Sequence, residues 1–347
     1  MTMTATMIHT SAPGKLFLMG EYAVLEGAPA LLTAVDRRAR VQLRPIDGPD
    51  WRISAPNLGV HDQPLGPDGR LPADADADLS RHLAVFDAVR TTVSAHVTQP
   101  LPALAVHIDT TDFARDGHKL GLGSSAAVAV ALTQALAAAA GQSPDRATLT
   151  RLAVAAHRRA QNGTGSGGDV AVSVYGGFIG YVRDQAPTPL DWPETLTGRA
   201  VVTGQGASTP ELVARVYAYR ARDPDRFHTD MTRLAALAER VGSHVGEAAR
   251  FLDTARDYFD ALIALDTHAE AGIVSARHHE LAALAARYHT VFKSSGAGGG
   301  DVGLLFAHAE DLTNALIVAF ETAGAAVLDL VFGAPGVCFD TPSPVDD

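Results

Sequence analysis

The most restrictive feature of this chain is a run at its centre, Lys119-Leu120-Gly121-Leu122-Gly123-Ser124-Ser125-Ala126-Ala127, which opens directly onto an apolar helix expected over residues 125–140. The glycines let the backbone turn tightly and point successive N–H groups inward, and the helix N-terminus adds partial positive charge. Together they make an anion site. Ser124 and Ser125 can donate to phosphate oxygens, Ser125 can ligate Mg²⁺ through its hydroxyl, and Lys119 adds a point charge at the lip. No Gly-Lys-Ser/Thr ends the run, so it is not a Walker loop. It does meet the loose dinucleotide pattern, with Gly121, Gly123 and Ala126 at the small positions. That pattern should follow a strand almost at once, whereas the polar stretch 109–118 intervenes here. Asp145, where a ribose-binding acid would fall, sits in the turn Ser143-Pro144-Asp145. A nicotinamide or flavin enzyme is therefore the weaker reading, and a plain turn into a helix is the bland one.

Composition narrows the partners. The chain has 347 residues, 47% hydrophobic and 19% charged, which suits one large or two ordinary domains. Its formal charge of −11 offers nucleic acid no counterion-release affinity, so an anionic ligand must be held by local groups. No apolar run reaches the roughly 18 residues of a membrane span. Residues 1–10 lack the basic cluster and apolar core of a signal peptide. A single cysteine, Cys338, excludes an internal disulfide framework and fits a reducing, cytoplasmic setting.

Along the chain, residues 11–44 read as extended and 47–78 as loops and short strands. The Ala-Asp repeat at 73–78 reads as a solvated loop, since it lacks the glycine turn and distal glutamate of a calcium loop. Helix is expected over 80–97, strand over 103–108, and helix over 146–161. A second glycine-rich turn, 163–168, precedes a strand at 178–182. Pro187, Pro189 and Pro193 mark a boundary, giving domains 1–195 and 196–347. Beyond it come a strand at 200–203, mostly helix over 210–287, a third glycine-rich loop at 294–300, a strand at 302–306, a helix at 310–322 and a strand at 326–332.

Three blocks in order resemble the GHMP kinases, a family of small-molecule kinases. The central Gly-Leu-Gly-Ser-Ser-Ala-Ala resembles their phosphate loop. Ala12-Pro13-Gly14-Lys15-Leu16-Phe17-Leu18-Met19-Gly20-Glu21-Tyr22 resembles their N-terminal motif, and Lys293-Ser294-Ser295-Gly296-Ala297-Gly298-Gly299-Gly300-Asp301 their C-terminal glycine motif. Within the family, Glu21-Tyr22, Gly165-Ser166-Gly167-Gly168-Asp169 and the Ala207-Ser208 loop resemble the phosphomevalonate kinase branch. Two positions depart. Val302 stands where cysteine is common. The metal-ligating glutamate that mevalonate kinases place before their aspartate has no counterpart, His157, Arg158 and Arg159 lying there instead.

The resemblance implies a two-domain α/β and α+β fold. An N-terminal β-α nucleotide domain and a C-terminal ferredoxin-like domain would have the active site in the cleft between them. It implies ATP with Mg²⁺ and a phosphomevalonate acceptor, and leaves monomer and homodimer both open. Lys15 and Asp169 are expected to be catalytic, Lys15 stabilising developing charge between donor and acceptor phosphates. Lys119, Gly121, Leu122, Gly123, Ser124, Ser125 and Ala126 are expected at ATP. Glu21, Tyr22, Ser166, Ser208 and Lys293 are expected on the acceptor side, and Ser294, Ser295 and Ala297 either there or bracing the first loop. Ser208-Thr209-Pro210 also reads as a simple helix cap, and Tyr22 as a core residue. The cluster His278-His279-Glu280 lacks a second histidine one turn on and reads as the opening of a helix rather than zinc.

Overall fold

The computed structural model describes residues 7–115, 117–204, 208–300 and 302–341. Asp301 and residues 205–207 of the motifs quoted above lie outside them.

Strands β1 (Ile8–Met19) and β2 (Ala30–Pro45) are the spine of the larger sheet, antiparallel from Ile8 opposite Leu43 to Met19 opposite Leu31. A single 3-10 turn, Ala23–Glu26, joins them, closed by Gly27 at φ 90°. The stretch 47–78 is more regular than its turn-rich composition suggests. It holds the hairpin β3 (Asp50–Ala55) and β4 (Val60–Pro67), then the start of α1 (Ala77–His82). Asp76 of the Ala-Asp repeat caps α1 by accepting the Leu79 N–H at 2.6 Å. Helix α2 (Ala84–Ser94) leads into β5 (Leu104–Asp109), which lies between β2 and β3. A two-residue ladder, β6 (Ala114–Arg115) with β7 (His118–Lys119), occupies the polar stretch before the first glycine loop.

Helix α3 (Ser124–Ala139) is buried from Ala126 to Ala137 at every position but Gln134. A helix with no polar face has to be enclosed, and this one packs against β1, β2 and α2 and against α4 (Arg146–Ala160) and α5 (Gly168–Tyr175). Its alanines allow that close approach. Asp145 caps α4 through the Thr148 N–H at 2.8 Å, so its carboxylate is committed and not offered to a ribose. Strands β8 (Phe178–Tyr181) and β9 (Thr188–Leu190) complete this part of the sheet against β2.

A second, four-stranded antiparallel sheet begins with β10 (Leu196–Val202). The expected helical stretch 210–287 is four helices: α6 (Thr209–Arg222), α7 (Pro224–His244), α8 (Ala248–Ala269) and α9 (Ala276–Ala286). Its breaks have local causes. Asp223 caps α7 with Pro224 in the first turn, and Glu270 ends α8 in the left-handed region. Strands β11 (Val291–Ser294) and β12 (Val302–His308), helix α10 (Asn314–Thr322) and strand β13 (Ala326–Leu328) follow. The sheet order β11-β12-β10-β13 is that of a βαββαβ, ferredoxin-like unit. Helix α10 starts later than its sequence suggests, because the Thr313 hydroxyl caps it through the Leu316 N–H. The last strand among the described residues, β14 (Cys338–Phe339), pairs back onto β1, so it joins the first sheet and not the second. One contiguous apolar core runs from Leu16 and Val130 through Phe251 to Phe306, fastening the two layers together. Among the described residues, no helix is long and apolar enough to cross a membrane.

Candidate active site

Strand β1 meets the first glycine loop at backbone contact. The Lys15 N–H donates to Leu122 O at 2.8 Å, and a Cβ on Gly14 would lie 2.8 Å from that same oxygen. Only a residue without a side chain permits this approach. Gly121 and Gly123 take φ of 68° and 77°, and Gly123 opens α3. The aliphatic stem of Lys15 lies across Gly123, where an added Cβ would come 2.8 Å from Lys15 Cε. Its ammonium lies 5.5 Å from the centre of the Phe17 ring and 3.9 Å from where a Cβ on Gly296 would stand. The lysine therefore bridges the first and third glycine loops.

The second loop is braced from outside. Arg158 donates to Gly165 O at 3.2 Å and to Ser166 O at 2.8 Å, and Tyr181 donates to Ser166 O at 2.8 Å. The loop ends at Gly167, φ 89°, which opens α5 and puts Asp169 in its first turn.

The third loop is fixed at both ends. Tyr22 donates to Ala297 O at 2.6 Å, Ser295 Oγ donates to Phe17 O at 2.8 Å, and Gly299 N–H donates to Ile273 O at 2.8 Å. Ile273 is in turn placed by Asp266, whose carboxylate accepts the N–H groups of Gly272, Ile273 and Val274.

The three loops open onto one cavity of about 1270 Å³. Lys15, Ser124, Ser125, Ser166 and Asp169 line it, as do Lys119, Leu120, Gly121, Leu122 and Gly123. Glu21, Tyr22, Ser208 and Ala297 also face it. Ser208 stands at the start of α6 without making a side-chain cap, so its hydroxyl is not spent on the helix. Tyr22 serves both readings. It is buried among core residues, yet it lines the cavity, and burial holds its hydroxyl well above the usual phenol range.

Four expected site residues sit elsewhere. Ala126 is enclosed in α3. Lys293 is fully buried behind the third loop and paired with Glu21, so it is not a cleft cation. Ser294 and Ser295 are buried in the same strand end, Ser295 committed to the β1 backbone. For the last three the reason is shared: β11 is buried along its whole length, and burial continues through Ser295 at the start of the loop.

Two further cations, Arg115 and Arg183, line the cavity though no motif marks them. His157, which the motif comparison marks only as standing where a metal-ligating glutamate is missing, also belongs to the site. It is 3% exposed and reaches Ser125 Oγ at 3.0 Å. Its signal was periodicity, since it continues the buried face of Leu149, Leu152, Ala153 and Ala156 along α4. A histidine there points at whatever α4 covers.

Against known proteins, the GHMP kinase N-terminal domain profile matches residues 84–177. The phosphomevalonate kinase of Streptomyces sp. (strain CL190) is 33% identical, the alignment covering 97% of this chain and all of the relative. The mevalonate kinase of Aeropyrum pernix is 31% identical over 62% of this chain and 67% of its own length. The crystal structure of Streptococcus pneumoniae phosphomevalonate kinase in complex with phosphomevalonate and AMPPNP has the same fold, with a TM-score of 0.76 at 22% identity, covering 94% of this chain and 99% of that one.

Proposed function

This chain belongs to the GHMP kinase family, and we propose from that premise that it transfers the γ-phosphoryl group of ATP to the 5-phosphate of (R)-5-phosphomevalonate, giving mevalonate 5-diphosphate and ADP. The observation that carries the reading is the near-full-length match to a phosphomevalonate kinase, in a chain whose three glycine loops open onto a single cavity. The cavity is large for one ligand, since small-molecule sites run from roughly 300 to 1,000 Å³, and suits a nucleotide and a second small molecule together.

Charge favours a phosphorylated acceptor. Lys15, Arg115, Lys119 and Arg183 line the cavity. Arg183 Nε lies 3.6 Å from Asp184 Oδ2, and of the facing carboxylates among the described residues Glu21 is paired with Lys293, so Lys15, Arg115 and Lys119 face the single carboxylate Asp169. Two polyanions need this local excess, because the protein as a whole carries −11.

Phosphoryl transfer calls for alignment and charge stabilisation more than covalent chemistry. Lys15 sits where the first and third loops meet, placed to neutralise charge as it shifts from donor to acceptor. The backbone N–H groups of residues 121–125 and the α3 N-terminus receive the nucleotide phosphates. Mg²⁺ accompanying ATP would supply further neutralisation, and Ser125 offers the hard oxygen it favours. The acceptor nucleophile is a phosphate oxygen, whose second pKa of about 6 leaves it ionised at neutral pH. Asp169 therefore orients Lys15 and the acceptor without having to remove a proton.

An ADP-release assay on phosphomevalonate, mevalonate, homoserine and galactose tests this directly. Turnover is expected with phosphomevalonate; preferential turnover of unphosphorylated mevalonate would replace the acceptor and leave the kinase assignment standing.

A further inference from the structure

His157 joins parts of the cleft that the glycine loops leave separate. Its Nε2 lies 3.0 Å from Ser125 Oγ and 3.0 Å from Gln161 Nε2, and its Nδ1 lies 3.7 Å from Asp169 Oδ2. Ser125 belongs to the first turn of α3 and Asp169 to the first turn of α5. One imidazole thus spans the N-termini of the two helices that face the cavity. Helix α4 packs on both α3 and α5, so the ring is fixed from behind.

The hydrogen-bond pattern gives the ring a direction. With its amide nitrogen toward the ring, Gln161 can only donate, so Nε2 is the acceptor and the ring proton sits on Nδ1, facing Asp169. The Ser125 hydroxyl then donates its proton to Nε2 and turns its lone pairs to the cavity. A serine so oriented meets a nucleotide as an oxygen acceptor: good for a cation riding on the phosphates, poor for a bare phosphate oxygen.

We propose that His157 is a positioning residue, which turns the Ser125 oxygen toward a metal–nucleotide complex and fixes its separation from Asp169. The proposal rests on the kinase reading of the same cavity, but its test can be scored separately. AMPPNP binding, with and without Mg²⁺, is measured by titration calorimetry on wild type, His157→Ala, His157→Gln and His157→Asn, alongside melting temperature and kcat with ATP and phosphomevalonate. His157→Ala is expected to bind the Mg²⁺ complex about tenfold more weakly while metal-free AMPPNP changes less than about twofold, and kcat falls on the order of 100-fold, the cost of a misplacement near 1 Å. His157→Gln, whose amide oxygen can reach the Nε2 position, should recover most of the metal-dependent binding; His157→Asn, too short to reach Ser125, should not. Equal weakening with and without Mg²⁺ overturns the proposal. So does a glutamine variant as defective as alanine at unchanged melting temperature. If His157→Ala does not fold, the contrast between glutamine and asparagine decides. Wild type that binds AMPPNP but never turns over phosphomevalonate sinks the proposed acceptor, and the calorimetry still reads His157.

Discussion

Lys293 Nζ donates to Glu21 Oε1 at 2.5 Å across 272 residues of sequence, with the two side chains 0% and 1% exposed. The contact ties the end of β1 to the strand that feeds the third glycine loop. Burial pushes the Glu21 carboxyl up and the Lys293 ammonium down, and their mutual attraction opposes both shifts. Glu21 Oε2 has no hydrogen-bond partner among the described residues, so the carboxylate depends heavily on this one cation. Removing either partner strands the other in the core, at a cost of about 3–5 kcal/mol. Lys293→Met and Glu21→Gln should each show that loss in urea denaturation. The double variant should lose clearly less than the two losses added, because no uncompensated charge remains. Additive losses would mean that the two groups do not act as a pair.

The pair also shows where sequence reading stops. The glycine loops were legible because their chemistry is local: consecutive glycines, a serine and a helix start define an anion site without reference to the rest of the chain. Lys293 adjoins such a loop, and adjacency suggested a cleft cation. Its actual partner lies at the other end of the sequence, and no short pattern encodes that distance. His157 is visible in the motif comparison only as a departure, and its role is not, for a related reason: its meaning depends on what α4 covers. The breaks in the stretch 210–287 were encoded locally, by Asp223-Pro224 and by Ser275 with its capping box, but sat inside apolar periodicity that reads as continuous helix.

Asp169 lines the cavity with a side chain 23% exposed, and its Oδ1 accepts the Val170 N–H at 2.9 Å. Asn keeps that size and an acceptor oxygen but loses the charge. If Asp169 orients rather than abstracts, Asp169→Asn should lower kcat by about 10- to 100-fold, the scale of a lost orienting contact, with a kcat flat from pH 7 to 9. A variant that regains rate steeply as pH rises would assign Asp169 the role of base.

Gly298 carries φ 79°, and a Cβ there would stand 2.3 Å from the Ile273 carbonyl oxygen. That carbonyl also accepts the Gly299 N–H, so the clash falls on the bond that fixes the third loop. Gly27 has a similar φ of 90° but nothing within 4 Å of an added Cβ. Gly27→Ala should therefore cost only the left-handed backbone penalty, about 1–2 kcal/mol. Gly298→Ala should cost more and raise KM for phosphomevalonate as well. Thermal melts and steady-state kinetics on both variants make the comparison; equal stability losses with unchanged KM would show that the loop has room to move.

His278 gives the fold a pH dependence of predictable sign. It is wholly buried at the start of α9, where its Nδ1 accepts the Ser275 N–H at 3.1 Å. That bond requires the neutral tautomer with its proton on Nε2, which has no partner among the described residues. Burial lowers its pKa from 6.5 to about 4, helped by the neighbouring His279 and Lys293 and opposed by Asp266. An unfolded chain takes up this proton below about pH 6.5, whereas the folded one resists until about pH 4. The contribution is therefore full above pH 6.5 and lost progressively as pH falls toward 4, a total of about 3 kcal/mol. His278→Asn removes the titration and keeps an oxygen where Nδ1 accepts, preserving the cap. Urea denaturation at pH 7.5, 6 and 5 should find wild type losing about 2 kcal/mol more than His278→Asn by pH 5, since each unit of pH below 6.5 is worth about 1.4 kcal/mol. Parallel losses in the two proteins would assign the acid sensitivity to other groups.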